Sequence, residues 1–187
     1  MSQKRVSTFK VVFVGMMAAV VCVVTLFRFP LLGTKVHFAN AMCLLSGLLF
    51  GPLLGGLSAG FGSALYDMLL GGYPIDEVLV TFVSKFLMAW VCAKIAYAGD
   101  AKAENHARNV FACVIGALTY VALYMLKQYV YKHFISGMAI DATYAVMLSK
   151  LPGSLINAAA AMIVTTPLYA VLRAALKRAG LLRKLTD

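Results

Sequence analysis

The sequence predicts an all-α membrane protein, a single domain over residues 1–187 with six transmembrane helices and both termini on the cytoplasmic side. Three observations carry this reading. Of the 187 residues, 62% are hydrophobic and only 13% charged, with a mean hydropathy of +0.86. That balance leaves too little charge to solvate a soluble surface. The apolar residues fall in long uncharged runs, each close to the ~20 residues that a helix needs to cross hydrocarbon. Lysine and arginine gather beside those runs, as they do at the cytoplasmic face of membrane proteins.

The first run predicts a helix over 9–27. It is uncharged from Val11 to Phe27 and stops at Arg28, Pro30 and Gly33. No small-x-small cleavage site follows, so it reads as a retained span and not as a signal peptide. The next run, Phe38 to Tyr66, holds 29 uncharged residues, too many for one straight span. Gly51-Pro52 divides it, because proline breaks the hydrogen-bond ladder yet suits the first turn of a new helix. Helices over 40–50 and 53–70 follow. "GGYPIDE" is a polar loop, and the fourth helix spans 78–97 with Lys85 inside it. "GDAKAENHAR" is the most hydrophilic stretch and reads as a plain loop. The fifth helix covers 109–131, Phe134 to Lys150 is a partly helical connector, and the sixth covers 151–172 before a basic tail.

Charge sets the orientation. Six helices put both ends on one side. With that side inside, the cytoplasmic set is Lys4, Arg5, Lys10, Lys94, Lys102, Arg108, Arg173, Lys177, Arg178, Arg183 and Lys184, eleven of the 17 Lys and Arg. The net charge of +10 is thus explained by membrane flanks, and nucleic acid is not expected as a partner. The four cysteines lie in apolar runs without C-x-x-C spacing and read as small buried residues.

Small residues recur every four positions at Gly51, Gly55, Ala59, Ser63 and Asp67, with Gly56, Gly60 and Ala64 beside them. Residues four apart share a helix face, so these form ridges where another backbone can approach closely. For the ridge alone, ordinary helix packing is the expected use. The polar residues within the spans say more, because they are costly in hydrocarbon and face a cavity or a partner. Asn40 opens the second helix, Asp67 ends the third, and Lys85 lies two turns into the fourth, roughly 10 Å below the outer boundary. Tyr120, Tyr124, Lys127, Gln128 and Tyr131 lie toward the end of the fifth. Asn157 falls in the series Gly153, Asn157, Ala161, Thr165 of the sixth. All occupy the outer half of the membrane, as a pocket open to the outside requires. Asp67 has two open roles, contact with a ligand or a pair with Lys85.

The inner half has no comparable polar path, such as a channel or proton-coupled carrier needs. No Walker A loop, H-E-x-x-H or nucleophile with a histidine nearby is present. His37, His106 and His133 are too dispersed for a metal site. No catalytic residue, metal or cofactor is expected.

The residues then match a known pattern. "GMMAA" in the first helix, "RFPLLGTKVHFANAMCLLSGLLFGPLLGGLSAGFGSALYDML", "GGYP", "TFVSKFLMA" and "LPGSLINAAAAMIVTTPLYAVL" together resemble the substrate-binding S component of an energy-coupling factor (ECF) vitamin transporter. The resemblance covers nearly the whole chain, and its most specific part runs from Asn40 to Asp67. It implies a six-helix bundle in a bacterial cell membrane that binds a vitamin or cofactor precursor near the outer face. It also implies an energising module of one transmembrane coupling protein and two cytoplasmic ATPases, which alone use ATP. By position, Asn40, Asp67, Tyr73, Lys85 and Asn157 line or gate the pocket, and Phe29 to Phe38 forms part of a lid. Tyr124 and Gln128 join them by helical spacing. A small-residue docking surface on the first helix maps to Gly15, Ala18 and Ala19, with glycine in place of the family's first alanine. The metal-binding amino terminus of the nickel and cobalt branch is missing from Met1-Ser2-Gln3-Lys4. Two other readings stand beside this one: a small self-sufficient carrier, and a membrane scaffold whose ridges only pack helices.

Overall fold

The computed structural model describes residues 8–31 and 34–181; Lys4, Arg5, Gly33, Arg183 and Lys184, used in the sequence reading, lie outside them. Five helices in the described residues are long and apolar enough to cross a membrane. They are α1 (Thr8–Leu26), α2 (Ala39–Leu69), α3 (Ile75–Ala96), α4 (His106–Tyr129) and α5 (Ile140–Arg178). Between α1 and α2 the chain forms a small antiparallel hairpin, β1 (Arg28–Leu31) with β2 (Thr34–His37). That hairpin occupies most of the connection that the sequence reading assigns to a lid.

The opening question of α2 is its length, and Gly51 answers it. Its backbone sits at φ 77°, ψ −175°, a conformation open to glycine and strained for other residues. The chain reverses there, so α2 is a helical hairpin of two halves. Ser46 Oγ donates to the Gly55 carbonyl at 2.9 Å, and Cys43 Sγ lies 3.8 Å from Ser63 Oγ. A Cβ built at Gly55 would stand 2.5 Å from the Ser46 carbonyl oxygen. The break coincides with the boundary that Gly51-Pro52 marks in the sequence.

The small-residue ridges therefore pack helices on three sides. Gly55, Ala59 and Ser63 face the first half of α2. Gly56 and Gly60 receive the rings of Phe86 and Phe82 of α3, each within 2.9 Å of a built Cβ. Gly62 abuts the Ala18 backbone of α1. Gly47 on the first half meets the Ala89 backbone of α3, and Gly116 of α4 meets Cys92 and Met88. Close approach of this kind replaces the hydrophobic drive that lipid removes. The first half of α2 is the centre of the bundle, with Ala41, Cys43, Leu44, Leu45 and Leu48 all buried.

Two sequence expectations need correction. The last helix does not begin at 151 but at Ile140, and it runs on to Arg178. The stretch from Ile140 to Lys150 contains no glycine or proline, and Asp141 in its first turn suits the helix dipole. Nothing in it stops a helix, so Pro152 falls inside the helix and does not open it. The loop from Gly99 to Arg108 is not plain either. Ala103 is fully buried, and its carbonyl accepts from Asn109 Nδ2 at 2.7 Å, from Tyr169 Oη at 2.9 Å and from Arg173. This knot ties the α3–α4 connection to α5 at the end of the bundle where Gly51 turns. At the other end α4 continues through a π-helical turn, Val130–Ile135.

Candidate substrate-binding site

At the end of the bundle away from the Gly51 turn, the helices part around a cavity of about 360 Å³. Every helix contributes to it: Thr25 from the last turn of α1, Asn40 from the first turn of α2, Ser63 and Asp67 from its last two turns. Thr81, Ser84 and Lys85 come from α3, Tyr120, Tyr124, Lys127 and Gln128 from α4, and Lys150, Ser154 and Asn157 from α5. Tyr73 joins from the loop after α2. All seven residues named from the sequence as substrate contacts (Asn40, Asp67, Tyr73, Lys85, Tyr124, Gln128 and Asn157) thus line one space. They come together because the packing of the helices brings them to the same end of the bundle.

Among the described residues Lys85 is the most buried charge, with 3% of its surface exposed. Its ammonium group donates to Asn40 Oδ1 and stands 3.6 Å from the centroid of the Tyr120 ring. The Asp67 pairing left open by the sequence is therefore not the arrangement adopted: Lys85 is held by an amide oxygen and an aromatic face. Such contacts lower the cost of burying a cation without neutralising it. Tyr120 in turn stacks with Tyr124, their ring centroids 6.4 Å apart. The cavity wall thus carries two parallel aromatic faces and a buried donor.

The rim is tied by polar contacts between helices. Lys127 meets Glu77 at 2.7 Å, and Tyr131 Oη donates to Asp76 Oδ2 at 2.6 Å, joining α4 to the start of α3. Lys150 Nζ donates to Gln128 Oε1 at 3.3 Å. The His37 backbone N–H donates to Asn157 Oδ1 at 3.0 Å, so a cavity residue of α5 holds the end of the β1–β2 hairpin.

Several lining residues were not singled out from the sequence as substrate contacts. Tyr120 carried a signal, one turn before Tyr124 on the same face. Lys150 was hidden by the misplaced start of the last helix; Ser154 lay inside the span read over 151–172 and was not singled out. Thr25 and Ser84 carry no signal, since hydroxyls within spans commonly bond their own backbone, as Thr25 Oγ1 does to the Val21 carbonyl at 2.6 Å, and Ser63 was read only as part of the small-residue ridge.

The small residues of α1 divide between two faces. Gly15 and Ala19 are exposed, and nothing lies within 4 Å of a Cβ built at Gly15. Ala18, expected on the same docking surface, is 5% exposed and packs on Gly62. It directly precedes Ala19, and a helical rotation of about 100° per residue turns it inward. Cys43, Cys92 and Cys113 are buried free thiols, as their apolar setting implies.

A bundle of membrane helices that closes around a polar, tyrosine-walled cavity at one end is the architecture of a membrane-embedded binding subunit. The comparisons give it a family. The sequence model described as "ECF-type riboflavin transporter, S component" matches residues 5–174, and the chain belongs to that family. It is a multi-pass membrane transport subunit and not an enzyme. A solved structure described as the S component of a bacterial ECF transporter superposes with a TM-score of 0.66, covering 90% of this chain and 98% of that one at 20% identity. At that identity the likeness speaks to the fold alone. A protein of Pyrococcus woesei, described as an uncharacterised protein in the gap 3′ region, is 31% identical over 118 residues, 60% of this chain and 72% of that protein.

Proposed function

We propose that this chain captures riboflavin, or a vitamin with a similar flat heteroaromatic ring, from the outer side of a bacterial cell membrane. The cavity carries the reading: one space, at one end of the bundle, gathers polar residues from every helix. The ring stacks against Tyr120 and Tyr124 with Tyr73 at the rim, and Lys85 and Asn40 hydrogen-bond its carbonyl edge. Asn157 and Asp67 meet its polar side chain. A stacked aromatic ligand with a few directed polar contacts is the usual chemistry of such sites.

The cavity end faces outward and the termini lie in the cytoplasm. Lys94, Lys102, Arg108, Arg173, Lys177 and Arg178 all lie toward the opposite end, which agrees with positive charge inside. The sequence reading finds no polar path through the inner half of the spans, so release inward depends on partners. These are a transmembrane coupling protein and two cytoplasmic ATPases that bind and hydrolyse ATP, and the exposed Gly15 and Ala19 face of α1 is where the coupling protein docks. The chain holds no cofactor of its own.

The test is a titration of the purified protein with riboflavin, read by quenching of flavin fluorescence, with mass spectrometry of whatever small molecule co-purifies. Stoichiometric quenching supports the reading; a protein that binds no flavin and retains no ring compound overturns it. Uptake by vesicles that contain this chain and no ATPase would remove the need for an energising module.

A further inference from the structure

Two thiols meet in the core beneath the cavity. Cys92 of α3 and Cys113 of α4 are 0% and 1% exposed, and their sulfurs lie 4.0 Å apart. Lys85 and Tyr120, which touch in the cavity wall, stand on the same two helices, each seven residues nearer the cavity end. At 1.5 Å per residue the thiols lie about 10 Å below that contact. The helices approach closely here: a Cβ built at Gly116 would stand 2.8 Å from the Cys92 Cβ and 2.9 Å from the Met88 carbonyl oxygen. Neither sulfur lines the cavity.

The separation decides which bridge the pair accepts. A disulfide needs its sulfurs about 2.05 Å apart, a contraction of roughly 2 Å between two packed helices. A zinc–thiolate bond, taken as a guide, is about 2.3 Å long, so a cation in line between the sulfurs needs them about 4.6 Å apart. That is an expansion of roughly 0.6 Å, which the two side chains can absorb by small rotations. Ligand number decides which cation. Structural zinc takes four ligands, and among the described residues no group of three or more His, Cys, Asp or Glu side chains is placed to hold a metal. Charge decides the valence. In an apolar core the neutral product costs least; two thiolates neutralise a divalent ion, whereas a monovalent one leaves a buried negative charge.

From these limits we infer that Cys92 and Cys113 form a buried two-thiol site for a soft divalent cation that coordinates in line, the chemistry of mercury(II), and that the bound ion staples α3 to α4 beneath the cavity. Soft cations select thiolates over the oxygen and nitrogen groups elsewhere in the chain. Loading is a ligand exchange without oxidation or reduction. Mercury(II) chloride gains two Hg–S bonds and loses two Hg–Cl bonds, and the two thiol protons are released with the chlorides. The chloride is uncharged and enters lipid, and local opening of the helix pair admits it. The site is one of modification, and it stands whatever ligand the cavity takes.

The experiment uses the full chain in detergent with Cys22→Ala and Cys43→Ala, which leaves Cys92 and Cys113 of the four cysteines. Mercury(II) chloride is added to one equivalent, and the remaining thiols are counted after denaturation with a chromogenic thiol reagent. Both thiols should be lost to one ion, and the ion should stay bound against a tenfold excess of the monothiol glutathione. The melting temperature should rise, because the ion binds the folded form. With Cys92→Ala or Cys113→Ala added, glutathione should strip the metal from the one thiol left. The inference fails if one equivalent takes a single thiol of the pair, or if glutathione strips the pair as it strips the single-thiol variants. A fall in melting temperature also overturns it, by placing the ion on the opened chain. If the double variant does not fold, the natural chain is titrated instead and its metal-protected cysteines are located by alkylation and peptide mass mapping. Protection of Cys92 and Cys113 together supports the site, and any other pattern refutes it.

Discussion

The ammonium nitrogen of Lys85 lies 3.6 Å from the centre of the Tyr120 ring, with Asn40 accepting its proton and no carboxylate in reach among the described residues. A charge so deeply placed costs stability, and a fold keeps such a group where it serves binding. Removing it should therefore move stability and affinity in opposite directions. In Lys85→Met, the melting temperature of the ligand-free protein should rise, because an apolar chain of similar length replaces a buried cation. Riboflavin affinity should fall at least tenfold, a loss of about 1.4 kcal/mol. Thermal melts with and without ligand read both effects, and a variant that melts higher and binds as before would remove Lys85 from the site.

Asn157 predicts a kinetic effect. Its side-chain oxygen accepts the His37 N–H at 3.0 Å and so fastens the β1–β2 hairpin over the cavity. A hydrogen bond of this kind contributes on the order of 1 kcal/mol. Asn157→Ala should speed ligand dissociation several-fold in stopped-flow measurements. An unchanged dissociation rate would show that the hairpin is held by other contacts.

The glycines of α2 predict large steric effects at named places. A methyl group at Gly55 would stand 2.5 Å from the Ser46 carbonyl oxygen and 2.6 Å from the Gly47 Cα. Both obstacles are backbone and cannot rotate away. Gly55→Ala should cost about 1–3 kcal/mol or more, the range for overpacking. Gly15→Ala, where nothing lies within 4 Å, should leave the melt unchanged or raise it slightly. Parallel thermal melts in detergent compare them, and equal melting temperatures would contradict the packing described.

Gly15 and Ala19 form an exposed pair of small residues one turn apart on α1. If the coupling protein docks there, Gly15→Phe or Ala19→Phe should abolish vitamin uptake by cells while the purified variants still bind ligand. Because both side chains point away from the bundle, folding is not at risk. Uptake at the normal rate would move the docking surface elsewhere, and lost ligand binding would show that α1 had been displaced.

Much of the fold was legible because membrane insertion writes strong signals. Uncharged runs of about 20 residues can only be spans, and the Gly51-Pro52 step marked where α2 reverses. The end of α5 nearest the cavity was less legible. Residues Ile140 to Lys150 mix polar and apolar types, so neither hydropathy nor proline punctuation located the helix start. That error concealed Lys150. The hairpin at Arg28–His37 was read only as a connection, since four-residue strands leave little periodicity to find.

The sequence by itself determined that the chain crosses a membrane, that its intramembrane polar residues share one end, and that slim helices bring them close. These follow from composition, charge placement and four-residue spacing, which are properties of single segments. Only the tertiary structure decided which partner each polar group takes. The choice of Asn40 and Tyr120 over Asp67 for Lys85, the inward turn of Ala18, and the hold of Asn157 on His37 depend on how helices distant in the chain are rotated against one another. A rotation of one residue, about 100°, exchanges a buried contact for an exposed one, and no spacing within a single helix records that angle.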